Sequence, residues 1–295
     1  MTQTGAILYA LAAFFVWVLV DVAIKLGAQA SLSPFAVMAA LGLSGTACII
    51  AQALIKKTTK RLRPQRLRGQ LLIAACSVGI NFTNVIALKH LPLNIFYIVA
   101  FTAPLVTAVL SSLLKHESPT LLKIICLIAG FGGVILATAS KSQVGGDWIG
   151  YLAGLSSVLA FAIYTVTMRQ MAQSATAEST QLMNGIAVGA VGLIACLVQA
   201  IPIVDEKALG IVMVAGAINL IANLAYNKAL HHTSSTNVAQ LHYTQIITGA
   251  LFAYLVFHEI PTENLIAGSI IIVVSGILVA RQARQDEASM LRSGR

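Results

Sequence analysis

Polar side chains occur at helical spacing inside two long apolar stretches of the chain. Asn81 and Asn84 are three residues apart in one stretch, and Asn223 and Tyr226 repeat that spacing in another. Residues three or four apart share one face of a helix. A polar side chain is costly in a bilayer and therefore faces the interior of a helical bundle. The pattern predicts two polar stripes that line one central cavity; interhelical hydrogen bonding is the alternative.

Ionisable residues accompany these stripes. Trp17, Asp21 and Lys25 recur every four residues on one helical face. Asp21 is therefore a candidate for recognising a charge or carrying a coupling proton, or it forms a structural ion pair with Lys25. His242 lies within another apolar stretch. Because histidine titrates near neutrality, His242 is a second candidate for proton coupling or ligand contact, with a hydrogen-bonded packing role as the alternative.

Aromatic residues could close such a cavity. Tyr97 and Phe101 lie one helical turn apart, and Tyr243 follows His242 directly. Their rings can stack on a small organic solute or hold a cation, although packing against neighbouring helices is an equal alternative.

A proline marks a candidate hinge. Pro104 interrupts the fourth apolar stretch and predicts a kink, because proline lacks the amide hydrogen of a helical bond. The corresponding residue in the second half is Ile246, with Gly249 nearby. We therefore expect unequal hinges in the two halves.

The two halves are copies of one unit. Shifted by 142 residues, the chain matches itself at 16 of the 62 positions from Ala75 to Leu136, including both His-Glu pairs at 116–117 and 258–259. Each copy contains five apolar spans. Because five is odd, the second copy should cross a membrane in the opposite sense, an arrangement common in secondary transporters.

The composition places the chain in a membrane. Hydrophobic residues make up 58% and charged residues 10%, whereas soluble domains have about 25% charged residues. The apolar runs are continuous and long enough for helices that cross a bilayer. The predicted spans are 5–27, 34–55, 69–88, 94–114, 121–138, 148–169, 181–202, 208–228, 236–257 and 264–280. The predicted fold is an all-α membrane protein, with ten transmembrane helices as two inverted five-helix repeats around a central cavity.

The net charge of +9 is unevenly distributed along the chain. Seven Lys and Arg residues crowd the loop 56–68, and the positive-inside rule makes this loop cytoplasmic. The prediction is a multi-pass protein of the inner (plasma) membrane with cytoplasmic N- and C-termini. The clustering explains the basic charge without nucleic acid as a partner.

The sequence lacks the residue patterns that several kinds of enzyme require. No phosphate-binding loop sequence is present, and the His-Glu pairs lack the second histidine of a zinc protease. The four cysteines have no paired spacing. We predict no catalytic residues, no metal site and no cofactor, and hence no enzyme.

Four segments resemble the repeated unit of a known family. They are 87–93 (Ala-Leu-Lys-His-Leu-Pro-Leu), 101–105 (Phe-Thr-Ala-Pro-Leu), 114–119 (Leu-Lys-His-Glu-Ser-Pro) and 161–169 (Phe-Ala-Ile-Tyr-Thr-Val-Thr-Met-Arg). Together with the ten spans they resemble the drug/metabolite transporter superfamily, in its EamA-type ten-helix branch. The resemblance implies a first repeat at 1–140, a second at 141–281 and a cytoplasmic tail at 282–295. It also implies that helices four and nine act as gates.

The resulting expectation is a secondary transporter that works by alternating access. It would export or exchange a small polar or zwitterionic metabolite such as an amino acid. The alternatives are a membrane scaffold or accessory protein without substrate, and an importer of a cationic solute such as choline. The expected partners are an organic solute, the lipid bilayer and, as a candidate coupling ion, protons. The sequence leaves a monomer and a homodimer equally open.

Overall fold

The computed structural model describes residues 3–90, 99–114, 120–138, 147–172, 174–201, 205–257 and 263–293. Every predicted span contains helix, and no strand occurs among these residues. The helices are α1 (Gln3–Gln29), α2 (Pro34–Ile55), α3 (Leu67–His90), α4 (Ala103–Leu113), α5 (Leu121–Thr138), α6 (Trp148–Met171), α7 (Ala177–Val198), α8 (Glu206–His232), α9 (Ser235–Leu241), α10 (Gln245–Phe257) and α11 (Glu263–Ser293). Short 3₁₀ turns cover Thr59–Leu62 and His242–Thr244. The all-α fold class is confirmed.

The lengths of these helices suit a membrane. Helices α1, α2, α6, α7 and α8 are long and apolar enough to cross one, and α4, α5 and α11 contain shorter apolar segments. Many leucine, isoleucine and valine side chains are exposed on the outside of the bundle, where lipid would cover them. Helix α11 continues to Ser293, past the end predicted at residue 280. Residues 282–293 of the predicted tail are therefore helical.

Local hydrogen bonds fix where several helices begin. The carboxylate of Asp147 accepts a bond from the Gly150 amide at 3.0 Å and caps α6. Its second oxygen lies 2.9 Å from Nδ1 of His90 at the end of α3. The Gly150 N–H, and after it His90, hold the pKa of Asp147 below its usual range. Ser33 and Asp205 cap α2 and α8 in the same way.

The largest helix interfaces join the two repeats. Helix α1 of the first repeat packs on α8 of the second, and their counterparts α6 and α3 pack on each other in the same way. Helix α2 packs on its own counterpart α7, and α5 packs on its counterpart α11. The hydroxyl of Thr233 donates to Gln3 Oε1 at 2.9 Å, and Arg169 donates to the Leu230 carbonyl at 2.7 Å. Helix α1 therefore begins at the end of the bundle where α6 finishes, as an inverted repeat requires.

Glycines allow the closest approaches between equivalent helices. A Cβ atom on Gly42 of α2 would overlap the backbone of Gly189 on α7, and one on Gly268 of α11 would overlap the carbonyl of Gly133 on α5. Small residues of this kind let membrane helices pack backbone to backbone. Both contacts lie where a helix meets its own repeat counterpart.

Candidate substrate site

A hydrogen-bonded group of polar side chains joins α1, α6 and α8. The Trp17 indole N–H donates to Asn219 Oδ1 at 3.0 Å. The Asn223 side-chain amide donates to the carbonyl and to the Oδ1 of Asn219 at 2.8 and 3.0 Å, and the Tyr164 hydroxyl donates to Asn223 Oδ1 at 3.4 Å. Trp17, Asn219 and Asn223 are half-buried. The amide nitrogen of Asn219 has no partner in the described part of the chain, so it can donate to a bound molecule.

The second polar stripe lies on α3. Asn81 donates from its amide nitrogen to the Ser77 carbonyl at 2.8 Å, and Asn84 Oδ1 accepts from the Ser157 hydroxyl of α6 at 2.6 Å. Both asparagines are half-buried. The Asn81 oxygen and the Asn84 amide nitrogen have no partner among the residues described. Interhelical bonding therefore uses only part of each stripe, and the remaining polar atoms are available to a ligand.

Asp21 lies one turn beyond Trp17 on the same face of α1. Its side chain is exposed, and it forms no hydrogen bond or ion pair with any residue that the structure describes. The alternative of a structural ion pair with Lys25 is not formed in this conformation. The carboxylate is therefore available to a cationic group of a ligand.

His242 is enclosed by aromatic rings. Its imidazole stacks on Phe14 at 5.2 Å and on Phe161 at 5.3 Å between ring centroids, and the edge of Phe101 approaches at 5.3 Å. Its Nδ1 atom is buried without a hydrogen-bond partner within the described ranges. The side chain thus has a packing role on its ring faces, while one ring nitrogen remains unused.

The helix interruption beside His242 has a counterpart in the first repeat. The Thr244 hydroxyl donates to the Leu241 carbonyl at 2.6 Å, and the Thr102 hydroxyl donates to the Val99 carbonyl, also at 2.6 Å. These two threonines and two carbonyls are related by the 142-residue repeat. A short turn therefore interrupts both spans at equivalent positions, but Pro104 follows only the first, so unequal hinges stay a prediction.

One end of the bundle is closed by packing. A buried apolar cluster gathers the beginnings of α1 and α3, the ends of α6 and α8, and helix α9. Its largest fully buried members are Phe14, Ile73, Met168, Tyr226 and Leu230. At the opposite end, the described residues form a second buried cluster that includes Val20, Ala23 and Val212, and a small one that contains Ala87 and Ala153. We refer to the end that contains Phe14 and Ile73 as the packed end.

A family model matches almost the whole chain. The description is "EamA-like transporter family", and the model matches twice, at residues 4–139 and 148–281. The chain belongs to the EamA-like transporter family. It is therefore a multi-pass membrane transporter and not an enzyme.

Two curated relatives and one solved structure resemble this EamA-like transporter. The uncharacterized transporter YvbV of Bacillus subtilis (strain 168) is 25% identical over 243 residues, covering 78% of this chain and 79% of the relative. An S-adenosylmethionine uptake transporter of Rickettsia prowazekii (strain Madrid E) is 22% identical over 237 residues, covering 79% and 78%. One crystal structure has a TM-score of 0.82 at 19% identity and covers 96% of this chain and 98% of its own. At that identity the likeness shows the fold alone.

The transporter's other predicted site residues have different surroundings. Tyr226 is fully buried, and its hydroxyl lies 2.8 Å from the Thr165 hydroxyl. Tyr243 is also buried, and its hydroxyl donates to the Leu127 carbonyl at 3.4 Å. Neither tyrosine has exposed surface in this conformation, so their contact with substrate stays a prediction that requires movement. Tyr97 lies outside the described residues.

The hinge candidates lie on α4 and α10. Pro104 is in the first turn of α4, directly after the turn at Phe101 and Thr102, so the span is interrupted next to the proline. Its role as a hinge stays a prediction. Gly249 lies within regular α10, and a Cβ atom there would meet nothing within 4 Å. The interruption lies at Thr102 and Thr244, and the identity of these two threonines in the repeat alignment was the available signal. Phe14, which stacks on His242, had no such signal, because only tertiary packing brings them together.

Proposed function

We propose that this transporter moves a small zwitterionic organic solute, such as an amino acid, across the plasma membrane by alternating access. The observation that carries the proposal is the pair of asparagine stripes. Each stripe is anchored to a neighbouring helix, and each keeps unpaired amide atoms. A solute with a carboxylate and an ammonium group needs both donors and acceptors, which asparagine side chains supply together.

Charge recognition would come from Asp21. It is the exposed, unpaired carboxylate one turn from Trp17, and an ammonium group is its natural partner. Trp17 would form one wall of the site and hold Asn219 in place through its indole bond. His242 would bound the apolar side of the site, and Phe101, which is buried in this conformation, would lie against it. Tyr226 and Tyr243 would contribute only after a rearrangement.

The repeats suggest how access would alternate. The packed end contains Gln3 and the residues around Arg169 and His231, so we propose that it faces the cytoplasm. Exchanging the packing of the two repeats would open that end and close the other around Ala87 and Ala153. The paired turns at Thr102 and Thr244 would provide a flexible point in each repeat for this exchange, with Pro104 present only in the first. Export or exchange is the direction that we propose.

A cationic solute is the second candidate. Asp21 could serve a fixed positive charge as well as an ammonium group, and the rings around His242 could hold a cation over their faces. One relative is named as an S-adenosylmethionine uptake transporter, and that molecule carries both a sulfonium and an amino-acid group. This candidate predicts uptake instead of export.

Counterflow in proteoliposomes tests the proposal. Purified protein would be screened with labelled amino acids, choline and S-adenosylmethionine, with and without a pH gradient. The double variant Asn81→Leu/Asn223→Leu should lose transport while remaining folded. The matched control is Ser156→Leu, since Ser156 is exposed on α6 and bonds only to its own helix. Unchanged transport in the asparagine variant would refute the site.

Proton coupling is a separate arm of the same experiment. Asp21 and His242 are the candidates. If one of them carries the proton, replacing it alone, by Asp21→Asn or by His242→Gln, should abolish any response to the pH gradient. A response that survives both replacements excludes these residues as the coupling groups.

A further inference from the structure

A cavity of about 690 Å³ opens at the basic end of the bundle, away from the asparagine stripes. It lies between the end of α2, the segment before α7 and the end of α8, and its size is that of a small-molecule site. The charged residues lining it are Lys56, Arg61, Lys228 and Glu178, accompanied by His231 and His232. The proposed transport site uses none of them.

The cavity has a surplus of positive charge. Arg61 is neutralised by Glu178 at 3.2 Å. Lys56 forms no side-chain hydrogen bond or ion pair with the residues described here. The ammonium of Lys228 donates to the Tyr9 hydroxyl at 2.7 Å and lies 4.2 Å from the centre of the Tyr9 ring. Because Tyr9 supplies a hydroxyl and not a carboxylate, Lys56 and Lys228 both remain without a carboxylate partner among the described residues.

The chemistry of the cavity wall changes along α8. Ile221, Leu224 and Lys228 follow one face of this helix at i, i+3 and i+7. Ile221 is 62% exposed, and Leu224 and Lys228 line the cavity. On the α2 side, Leu54 and Ile55 are exposed next to Lys56. The cationic cavity thus continues directly into apolar surface that lipid would cover.

A molecule with a phosphate and a long apolar chain matches the cationic cavity and the apolar surface next to it. We propose that the cavity binds the phosphate of an anionic phospholipid through Lys56 and Lys228, with an acyl chain along Ile221. Basic pockets between membrane helices commonly hold such headgroups. A soluble phosphate would use the lysines but would gain nothing from the apolar face.

The test is lipid binding by purified, delipidated full-length protein. Phosphatidylglycerol added in mixed micelles should raise the unfolding temperature and remain attached in native mass spectrometry, whereas phosphatidylcholine should do neither. The variant Lys56→Gln/Lys228→Gln should weaken phosphatidylglycerol binding by about 30-fold. The variant Lys56→Arg/Lys228→Arg should retain it, because both charges are kept.

A matched control separates a site from general attraction. Lys57 and Lys60 are exposed in the same loop but do not line the cavity. Their replacement by Gln removes the same charge and should leave binding unchanged. Equal weakening in the two double variants would overturn the proposal, because the lipid would then respond only to surface charge. Equal stabilisation by inorganic phosphate or glycerol phosphate would also overturn it, since the cavity would then be a soluble-anion site.

Discussion

The carboxylate of Asp21 gives the sharpest test of substrate recognition. Replacing Asp21 by Asn removes its negative charge and keeps the size of the side chain. The side chain forms no hydrogen bond or ion pair with the described residues, so the substitution breaks no bond to any of them. Because removing an unpaired charge from a membrane-spanning helix costs no bond, the unfolding free energy should not fall.

The effect on binding follows from Coulomb attraction. A carboxylate and an ammonium about 4 Å apart attract by about 1 kcal/mol in water and by about 4 kcal/mol at the effective dielectric constant of a protein surface. Because Asp21 is exposed, its contribution should lie in the lower part of this range. We expect the apparent KM for an ammonium-bearing substrate to rise about tenfold in Asp21→Asn.

The assay is concentration-dependent counterflow with the best substrate from the liposome screen. Asp21→Glu is the matched control, since it keeps the charge and should keep most of the affinity. Thermal unfolding of the same preparations verifies that the variants are folded. A change in KM smaller than about threefold, with an ammonium-bearing substrate, would refute the assigned role of Asp21.

Three further predictions concern the scaffold. Trp17→Phe keeps one aromatic ring but loses part of the indole packing and the bond to Asn219, and thermal unfolding should show a destabilisation of at least about 0.6 kcal/mol, the average for such bonds in membranes. Gly268→Leu should destabilise by about 3 kcal/mol or more, because the α5–α11 backbones must separate, whereas Gly276→Leu, which meets nothing nearby, should not. The lowered pKa of Asp147 gives stability that is present above its unfolded pKa of about 3.9 and lost as pH falls through its folded pKa. Asp147→Asn should therefore flatten the decline in unfolding temperature below about pH 4; an unchanged decline contradicts this role.

Long apolar runs and an odd number of spans per repeat were sufficient to predict the helices and their inverted arrangement. Both features can be read directly from the sequence, because residue types give the apolar runs and the number of spans sets the direction of the chain. The asparagine stripes were also visible, because helical spacing puts their side chains on one face. The sequence did not show which of their atoms bond to other helices. That distinction depends on Ser157 and Trp17, which are remote in the chain and close only after folding.

The interruption predicted at Pro104 is present, since Phe101 and Thr102 form a turn directly before α4. The sequence did not predict the similar turn at His242–Thr244, because the second repeat has no proline there. In both turns a threonine hydroxyl donates to the carbonyl three residues earlier. Tyr226 was expected on the polar stripe, yet its ring lies among Phe14 and Trp17. Its position shows that one helical face can serve the core and a polar site at adjacent turns.

Accessibility along α3 tests the central claim most directly. Single cysteines at Asn84 and at Ile73, in a background without the native cysteines, would be exposed to a membrane-impermeant thiol reagent from each side. Asn84 is half-buried on the polar stripe, and Ile73 is fully buried in the packed end. The account predicts that Asn84→Cys reacts from the side opposite the basic loop and is protected by substrate, while Ile73→Cys does not react from that side. Labelling of Ile73→Cys but not Asn84→Cys from that side, or labelling of Asn84→Cys that substrate leaves unchanged, would contradict it.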